Sequence, residues 1–138
     1  MSLVTAIFLL LVLAALGAFI VSLSAVQQTD LALDLQGSRA YHAARSGLEF
    51  GAYQAITNAS CPVQVSVPLS SAQFDAFTAV TVKCASTAHT EGGPPAKILY
   101  VLTADACNQP TPAGICPNPA PGANYVEREL QLTVINPP

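Results

Sequence analysis

The first third of the chain has the hydrophobic pattern of one long helix. Residues 6–21 carry no polar side chain, and no charged residue precedes Asp30. As a helix, residues 3–23 would be roughly 31 Å long, about one hydrocarbon thickness of a bilayer. No Pro or turn cluster interrupts the chain before Cys61, so the pattern predicts a helix that continues to about residue 57, roughly 80 Å in all. A small domain cannot bury such a helix alone, which indicates that other molecules cover it.

From residue 30 onward the helical pattern becomes amphipathic. Apolar residues recur at helical spacing and predict a stripe that packs on a sheet. The members of this stripe are Leu31, Leu35, Tyr41, Ala44, Leu48, Ala52, Ala55 and Ile56, of which the larger residues and Ala52 are expected to form the packing face. A second row places the small residues Ala43, Gly47 and Gly51 four apart, which lets another backbone approach closely. That backbone belongs either to the chain's own sheet or to the helix of a neighbouring subunit.

The rest of the chain changes to the two-residue period of strands. Four segments fit this pattern: residues 63–67, 78–84, 98–102 and 126–134. Pro68 makes the first of them an edge strand, because proline cannot donate to a ladder. Residues 92–95, Gly-Gly-Pro-Pro, give the strongest turn signal in the chain.

These elements predict an α+β fold in which a long N-terminal helix packs on a four-stranded antiparallel sheet. Three parts follow from the pattern: a hydrophobic helix over residues 1–29, its amphipathic continuation over 30–57, and a β head domain over 58–138. The apolar face of the sheet needs cover, and the only cover that the sequence encodes is the helix stripe.

Four cysteines, Cys61, Cys84, Cys107 and Cys116, all follow the helix. An even number in a small, loop-rich domain predicts two disulfides and an oxidising compartment. Four cysteines allow three connectivities. We favour Cys61–Cys84 with Cys107–Cys116, because the second pair closes a short Pro- and Gly-containing loop that can fold back on itself.

Charge and motif content argue against nucleic-acid binding and catalysis. Only 9% of residues are charged, the net charge is −3 and the five basic residues are dispersed, so the chain has no electrostatic footprint for nucleic acid. His42 and His89 have no nucleophile in a recognisable motif, and neither C-x-x-C nor paired carboxylates occur. We therefore expect no catalytic residues, no metal site and no cofactor.

The N-terminal segment could be a signal peptide or a retained membrane helix. It lacks a basic n-region, and its apolar run is longer than a usual h-region, which favours a retained helix. The disulfides require the C-terminal part to be outside the cytoplasm. Orientation by the positive-inside rule then requires basic residues before Met1, which a removed leader would supply.

Several motifs together resemble those of type IV pilins, and more narrowly the biogenesis proteins of the MSHA pilus. The motifs are SLVTAIFLL at residues 2–10, QGSRAY at 36–41, AARSGLE at 43–49, ACNQP at 106–110 and ANYVER at 123–128. The similarity covers nearly the whole chain and is most specific over the first 50 residues. It implies the type IV pilin fold.

The resemblance also implies a life cycle. A prepilin peptidase would remove a basic leader and leave Met1 as an N-methylated terminus. The helix would wait in the inner membrane until pilus assembly machinery moved it into a helical homopolymer, an extracellular filament (fimbrium) on a Gram-negative-type cell surface. The residues expected to pack in the filament core are Thr5, Ala6, Phe8, Leu9, Leu13, Leu16, Gly17, Phe19 and Ile20.

Thr5 departs from the pilin pattern, since most pilins carry Glu at the fifth mature position. The alternative is therefore a minor pilin or pseudopilin that initiates assembly of a pilus or of a type II secretion pseudopilus. A third reading is a membrane-anchored periplasmic binding domain that never polymerises. That reading leaves unexplained why the helix continues about 30 residues beyond a membrane-length segment.

Overall fold

The computed structural model describes residues 2–70, 74, 76–90 and 96–135. The predicted N-methylated terminus at Met1 and the predicted turn at 92–95 lie outside these residues. The elements in chain order are a helix, α1, and four strands: α1 Ser2–Thr57, β1 Val65–Pro68, β2 Ala79–His89, β3 Lys97–Cys107 and β4 Glu127–Ile135. The chain divides into two compact units, Met1–Leu35 and Gln36–Pro138.

The predicted α+β layout is confirmed. The four strands form one antiparallel sheet in the order β1-β2-β3-β4. In its register Val82 lies beside Ala104, and Ala104 lies beside Leu130. The middle strands are longer than their apolar runs predicted, with eleven residues each. In β3 the extra length comes from alternation of the buried Ala104 and Ala106 with polar neighbours, which is a strand pattern without large apolar residues.

Within the second unit, the C-terminal part of α1 packs on the sheet through small residues. Its buried residues are Gly37, Ala40, Ala43, Ala44, Gly47, Leu48, Gly51 and Ala55. A Cβ atom added to Gly47 would lie 2.5 Å from Val80 Cγ1, and one added to Gly51 would lie 3.0 Å from Val82 Cγ1. The small-residue row therefore serves the chain's own sheet, which was the first of the two readings.

The predicted stripe of larger apolar residues is only partly correct. Leu48 is buried and Ala52 packs partly against the core, but Tyr41 and Ile56 are 44% and 45% exposed. The physical reason is that glycine and alanine bring α1 so close to the sheet that longer side chains fit only beside the contact. Leu31 and Leu35, at 70% and 56% exposure, belong to the first unit, which contains no strand.

Two disulfides, Cys61–Cys84 and Cys107–Cys116, join the pairs favoured from the sequence, with Cα–Cα distances of 5.2 and 5.8 Å. The first links the segment after α1 to β2, and it is reinforced by a hydrogen bond from the Cys84 amide to the carbonyl of Pro62. The second closes the turn that follows β3, and both of its cysteines are fully buried.

Candidate functional site

The largest unpartnered surface is the N-terminal part of α1. Fourteen large apolar side chains between residues 3 and 23 are exposed, from 38% for Val12 to 73% for Val4. They are Leu3, Val4, Ile7, Phe8, Leu9, Leu10, Leu11, Val12, Leu13, Leu16, Phe19, Ile20, Val21 and Leu23. Removing them from water would contribute on the order of 20 kcal/mol, so this segment is stable only when lipid or protein covers it.

All nine residues predicted to pack in a filament core lie on this segment, and all are exposed. These nine residues lie on one half of the helix circumference, whereas the fourteen exposed apolar side chains together surround the helix, as the continuously apolar sequence indicated. Around Gly17 the space is open, because a Cβ added there would meet nothing within 4 Å. The helix surface at Gly17 is therefore a shallow position that a neighbouring helix can approach closely.

The same segment fits a membrane. The helix is long and apolar enough to cross a bilayer, as judged by its length and composition. Its serine hydroxyls are satisfied locally, since Ser22 Oγ donates to the carbonyl of Phe19 at 2.8 Å and Ser24 Oγ donates to that of Ile20 at 3.1 Å. Such bonds remove the need for water at these polar groups.

On the face of the sheet opposite α1, a loop over residues 108–126 covers the strands. The buried Thr81 Oγ1 accepts a hydrogen bond from the Cys116 amide at 2.7 Å, and Ser66 Oγ donates to the carbonyl of Gly114 at the same distance. These bonds hold the turn closed by Cys107–Cys116 against β1 and β2. The loop lacks regular secondary structure but is fixed to the sheet at several points.

Three amide side chains organise the interior of this loop. Asn108 Nδ2 donates to the carbonyl of Asn124 at 2.8 Å, and Asn108 Oδ1 accepts from the Val126 amide at 2.9 Å. Gln109 bonds to the backbone of Gly122 and Ala123. Asn118 Nδ2 donates to the carbonyl of Gln109 at 2.9 Å. The ACNQP motif of the sequence therefore supplies two of the three side chains that hold the loop together, Asn108 and Gln109.

The same loop and β4 also contact α1 where the second unit begins. Asn108 Nδ2 lies 3.1 Å from Gln36 Oε1, and the Arg128 guanidinium lies over Gly37, with Nη2 3.2 Å from the position of an added Cβ. A glycine at residue 37 leaves room for this arginine. Gly37 belongs to the QGSRAY motif and Arg128 to the ANYVER motif, and nothing in the two motifs indicates that these residues are in contact.

A buried ion pair lies under the loop. Lys83 Nζ is 2.7 Å from Asp105 Oδ2; the lysine side chain is 41% exposed and the aspartate side chain is fully buried. The hydrogen bond to Asp105 raises the pKa of Lys83 above its ordinary value. Asp105 Oδ1 has no hydrogen-bond partner among the described residues. The sequence signal for this pair is a single carboxylate inside a strand whose one other charged residue, Lys97, stands at its start.

Tyr125 forms a second polar contact, within the loop and to the start of β4. Its hydroxyl donates to Glu127 Oε2 at 2.7 Å and accepts from the Asn118 amide at 3.2 Å. Burial, followed by the bond to Glu127, raises the pKa of Tyr125. This arrangement and the Lys83–Asp105 pair have the chemistry of structural pins, since each charged or phenolic group is already engaged within the fold.

Within the described residues, no group of three or more His, Cys, Asp or Glu side chains is placed to hold a metal ion. His42 contacts the ring of Tyr41 edge-on on α1, with centroids 5.6 Å apart, while His89 ends β2. Comparisons with protein-family models, with curated proteins and with solved structures found no match. The exposed apolar helix is therefore the feature on which a functional assignment depends.

Proposed function

We propose that the chain is a structural subunit of a type IV pilus, resembling the MSHA pilus biogenesis protein MshP, and that it polymerises through α1 into an extracellular filament. The observation that carries this proposal is the fully exposed apolar segment at residues 3–23 on a chain whose head is closed by two disulfides. Lipid would cover the segment before assembly, and copies of the chain would cover it afterwards.

A simple membrane anchor explains less of the helix. Residues 3–23 already match one hydrocarbon thickness, yet Leu31 and Leu35 are 70% and 56% exposed farther along α1. In an anchored monomer these two leucines would face water. In a filament, neighbouring copies of the chain would cover them, which supports polymerisation.

Close packing, rather than the hydrophobic effect, has to drive the transfer from membrane to filament. Lipid is already as apolar as the interior of a helix bundle, so the gain comes from van der Waals contact between closely approaching helices. Gly17, with Ala14, Ala15 and Ala18 around it, is the position at which α1 allows the closest approach.

The experiment is Gly17→Leu in cells that carry the prepilin peptidase and the assembly machinery, with the chain expressed behind a leader. Because the space around Gly17 is open, the leucine fits in the single chain. We expect the variant to reach the membrane fraction at the wild-type level while filaments are lost from sheared surface material seen by electron microscopy. Val12→Leu, at an exposed apolar position on another side of the helix from Gly17, is the matched control and should leave filaments intact.

Normal filaments from Gly17→Leu would contradict close packing at this position. A wild-type chain that stays in the membrane fraction with no copy in sheared material would instead support the non-polymerising, membrane-anchored domain. These two results are distinguishable because the first concerns the variant and the second the wild type.

Thr5 favours a second candidate within the same class, a minor subunit that initiates filaments. A buried terminal amine without a carboxylate partner is costly, and a subunit at the filament end would bear this cost only once. The test is the copy number of the chain relative to other subunits in purified filaments. A few copies per filament would support the initiating role, and a majority share would support the bulk role.

A further inference from the structure

The β4 strand is an open edge of the sheet. It pairs with β3, and no described strand pairs with its other side. Alternate residues along that side therefore direct their N–H and C=O groups outward. Charges occur only at Glu127, Arg128 and Glu129, whereas the remaining six residues, 130–135, carry none. Exposed edges are usually protected by charge, proline or a bulge, and this edge has charge only at its start.

A largely apolar groove runs beside the open edge on the helix side of the sheet. It has a volume of about 350 Å³ and lies between α1, which contributes Tyr41, Leu48 and the Arg45–Glu49 ion pair, and β4, which contributes Leu130, Gln131 and Leu132. Tyr41 and Leu132 are 44% and 37% exposed. A partner that fits this site must therefore present an extended strand with an apolar side chain at every second residue on the groove side.

The β4 strand itself meets this requirement, since Leu130, Leu132 and Val134 alternate with polar residues. We propose that the partner is a second copy of the chain, whose β4 docks antiparallel with Gln131 of each copy at the centre. Leu130 of one copy then lies opposite Leu132 of the second copy, on the groove side of both. Neither Glu129 nor Arg128 faces a charge, because their opposite residues are Thr133 and Val134.

Charge excludes registers that are centred near the start of β4. Centring the pair on Arg128 would place two arginines opposite each other and Glu127 opposite Glu129, so repulsion excludes that alignment. Centring on Gln131 keeps all three charged residues at the two ends of the paired region. It also joins both open edges in one closed, two-fold contact, so that association stops at a pair.

The two-fold axis is perpendicular to the sheet, and this determines which copies can meet. Residues 36–57 of α1 lie along the sheet. A two-fold axis perpendicular to the sheet therefore makes this helical segment run in opposite directions in the two copies. As a result, the chain enters the two heads from opposite sides. Copies in one membrane or one filament run parallel and cannot form this contact. The contact therefore joins copies on separate filaments or on facing surfaces, and it does not depend on polymerisation through α1.

The test uses the full chain at one copy per nanodisc or detergent micelle, so that α1 is covered and cannot contact another α1. We expect the wild type to form pairs of particles in sedimentation velocity as its concentration rises. Gln131→Lys and Gln131→Glu alone should each weaken pairing by about tenfold or more, because like charges then meet at the centre. A one-to-one mixture of the two variants should restore it.

Gln131 is exposed, so neither substitution disturbs the core. Gln64→Lys is the matched control and should pair as the wild type does. Gln64 is exposed and lies just before β1, at the opposite edge of the sheet from β4. Single particles at every wild-type concentration would overturn the proposal. So would unchanged pairing of Gln131→Lys, a mixture that fails to recover, or growth beyond pairs into open aggregates.

Discussion

The two halves of α1 use side-chain size in opposite ways. Between residues 3 and 23 the helix carries fourteen large apolar side chains, and all of them are exposed. Between residues 40 and 55 its buried positions are alanine and glycine, with Leu48 as the one large exception. Where the partner is the chain's own sheet, the helix is thin and the sheet supplies the bulk through Val80, Val82 and Leu102.

This difference teaches how to tell an internal contact from one intended for other molecules. An internal contact is fitted, so that adding one atom to Gly47 produces an overlap with Val80. The N-terminal half has no such fit within the chain, since Gly17 has open space around it. Small residues spaced four apart cannot by themselves distinguish an internal contact from an external one. The large side chains on the facing sheet, Val80 and Val82, distinguish them.

Exchanging the two glycines for leucine breaks the comparison most directly. Gly47→Leu is expected to destabilise the head by about 3 kcal/mol, because the new side chain overlaps Val80 and Val82. Gly17→Leu should leave the free energy of unfolding of the head within roughly 0.5 kcal/mol of the wild-type value. Thermal unfolding of the full chain in micelles, followed by near-ultraviolet circular dichroism, measures both. Equal midpoints for the two variants would contradict the fitted contact.

Removing the disulfides sharpens the contrast between the helix and the head. Cys61→Ala with Cys84→Ala should cost about 3 kcal/mol, and Cys107→Ala with Cys116→Ala slightly less, because the sequence separations of 23 and 9 close loops of different length. Head unfolding in denaturant measures the loss. Far-ultraviolet helicity of residues 3–24 in micelles should not change, and a parallel loss of that helicity would show that the two regions are not independent.

Cutting the ion pair tests how well the head tolerates a buried charge. Lys83→Met leaves the fully buried Asp105 carboxylate without its partner and should cost about 2 kcal/mol. Lys97→Met, at an exposed lysine of the neighbouring strand, is the control and should change stability by less than about 0.5 kcal/mol. Adding Asp105→Leu to Lys83→Met should recover part of the loss. No difference between the two lysine variants would mean that Asp105 needs no compensation.

Alkaline pH gives the smallest expected effect, under about 1 kcal/mol because Lys83 is partly exposed. The fold raises the pKa of both Lys83 and Tyr125 above their ordinary values of 10.5 and 10.0. A raised pKa means that the folded state holds the proton more tightly than the unfolded state does. The stability that this difference contributes is therefore complete at pH values below the ordinary pKa, and it is lost as the pH rises through the pKa of the folded state. Tyrosinate absorbance during an alkaline titration measures it. Since the chain has four tyrosines, Tyr125→Phe should remove only the part of the absorbance change that occurs above the ordinary pKa of tyrosine, and an unchanged curve would contradict the assignment to Tyr125.

The sequence predicted the architecture because the hydrophobic period and the positions of proline and turn residues are enough to place the helix and the strands. The uninterrupted apolar start, the change to alternation after Pro62 and the proline-rich segment after β3 placed the helix, the strands and the loop. The two disulfide pairs followed from the short loop between Cys107 and Cys116. Each of these features depends on residues that are close together in the sequence, so it could be predicted without knowledge of the tertiary contacts.

The contact face of α1 could not be predicted in the same way. Hydrophobic periodicity selected Tyr41 and Ile56, which are about half exposed, and the row Ala43, Gly47 and Gly51 could be assigned to the sheet rather than to a neighbouring subunit only from the coordinates. The meeting of Gln36 with Asn108, 72 residues apart, depends on how the loop folds back over the sheet. For the candidate site, sequence composition alone found the exposed segment, but the open space around Gly17 required coordinates.

The loop after β3 keeps its shape through Asn108, Gln109 and Asn118, while Pro112, Ala113 and Pro119 face outward. Scaffold and display are thus assigned to different residues of one segment. The outward positions can be substituted, or receive a short inserted epitope, while the inner amides stay the same. A surface built this way can be altered without refolding, which makes residues 112–113 a suitable place to attach a label.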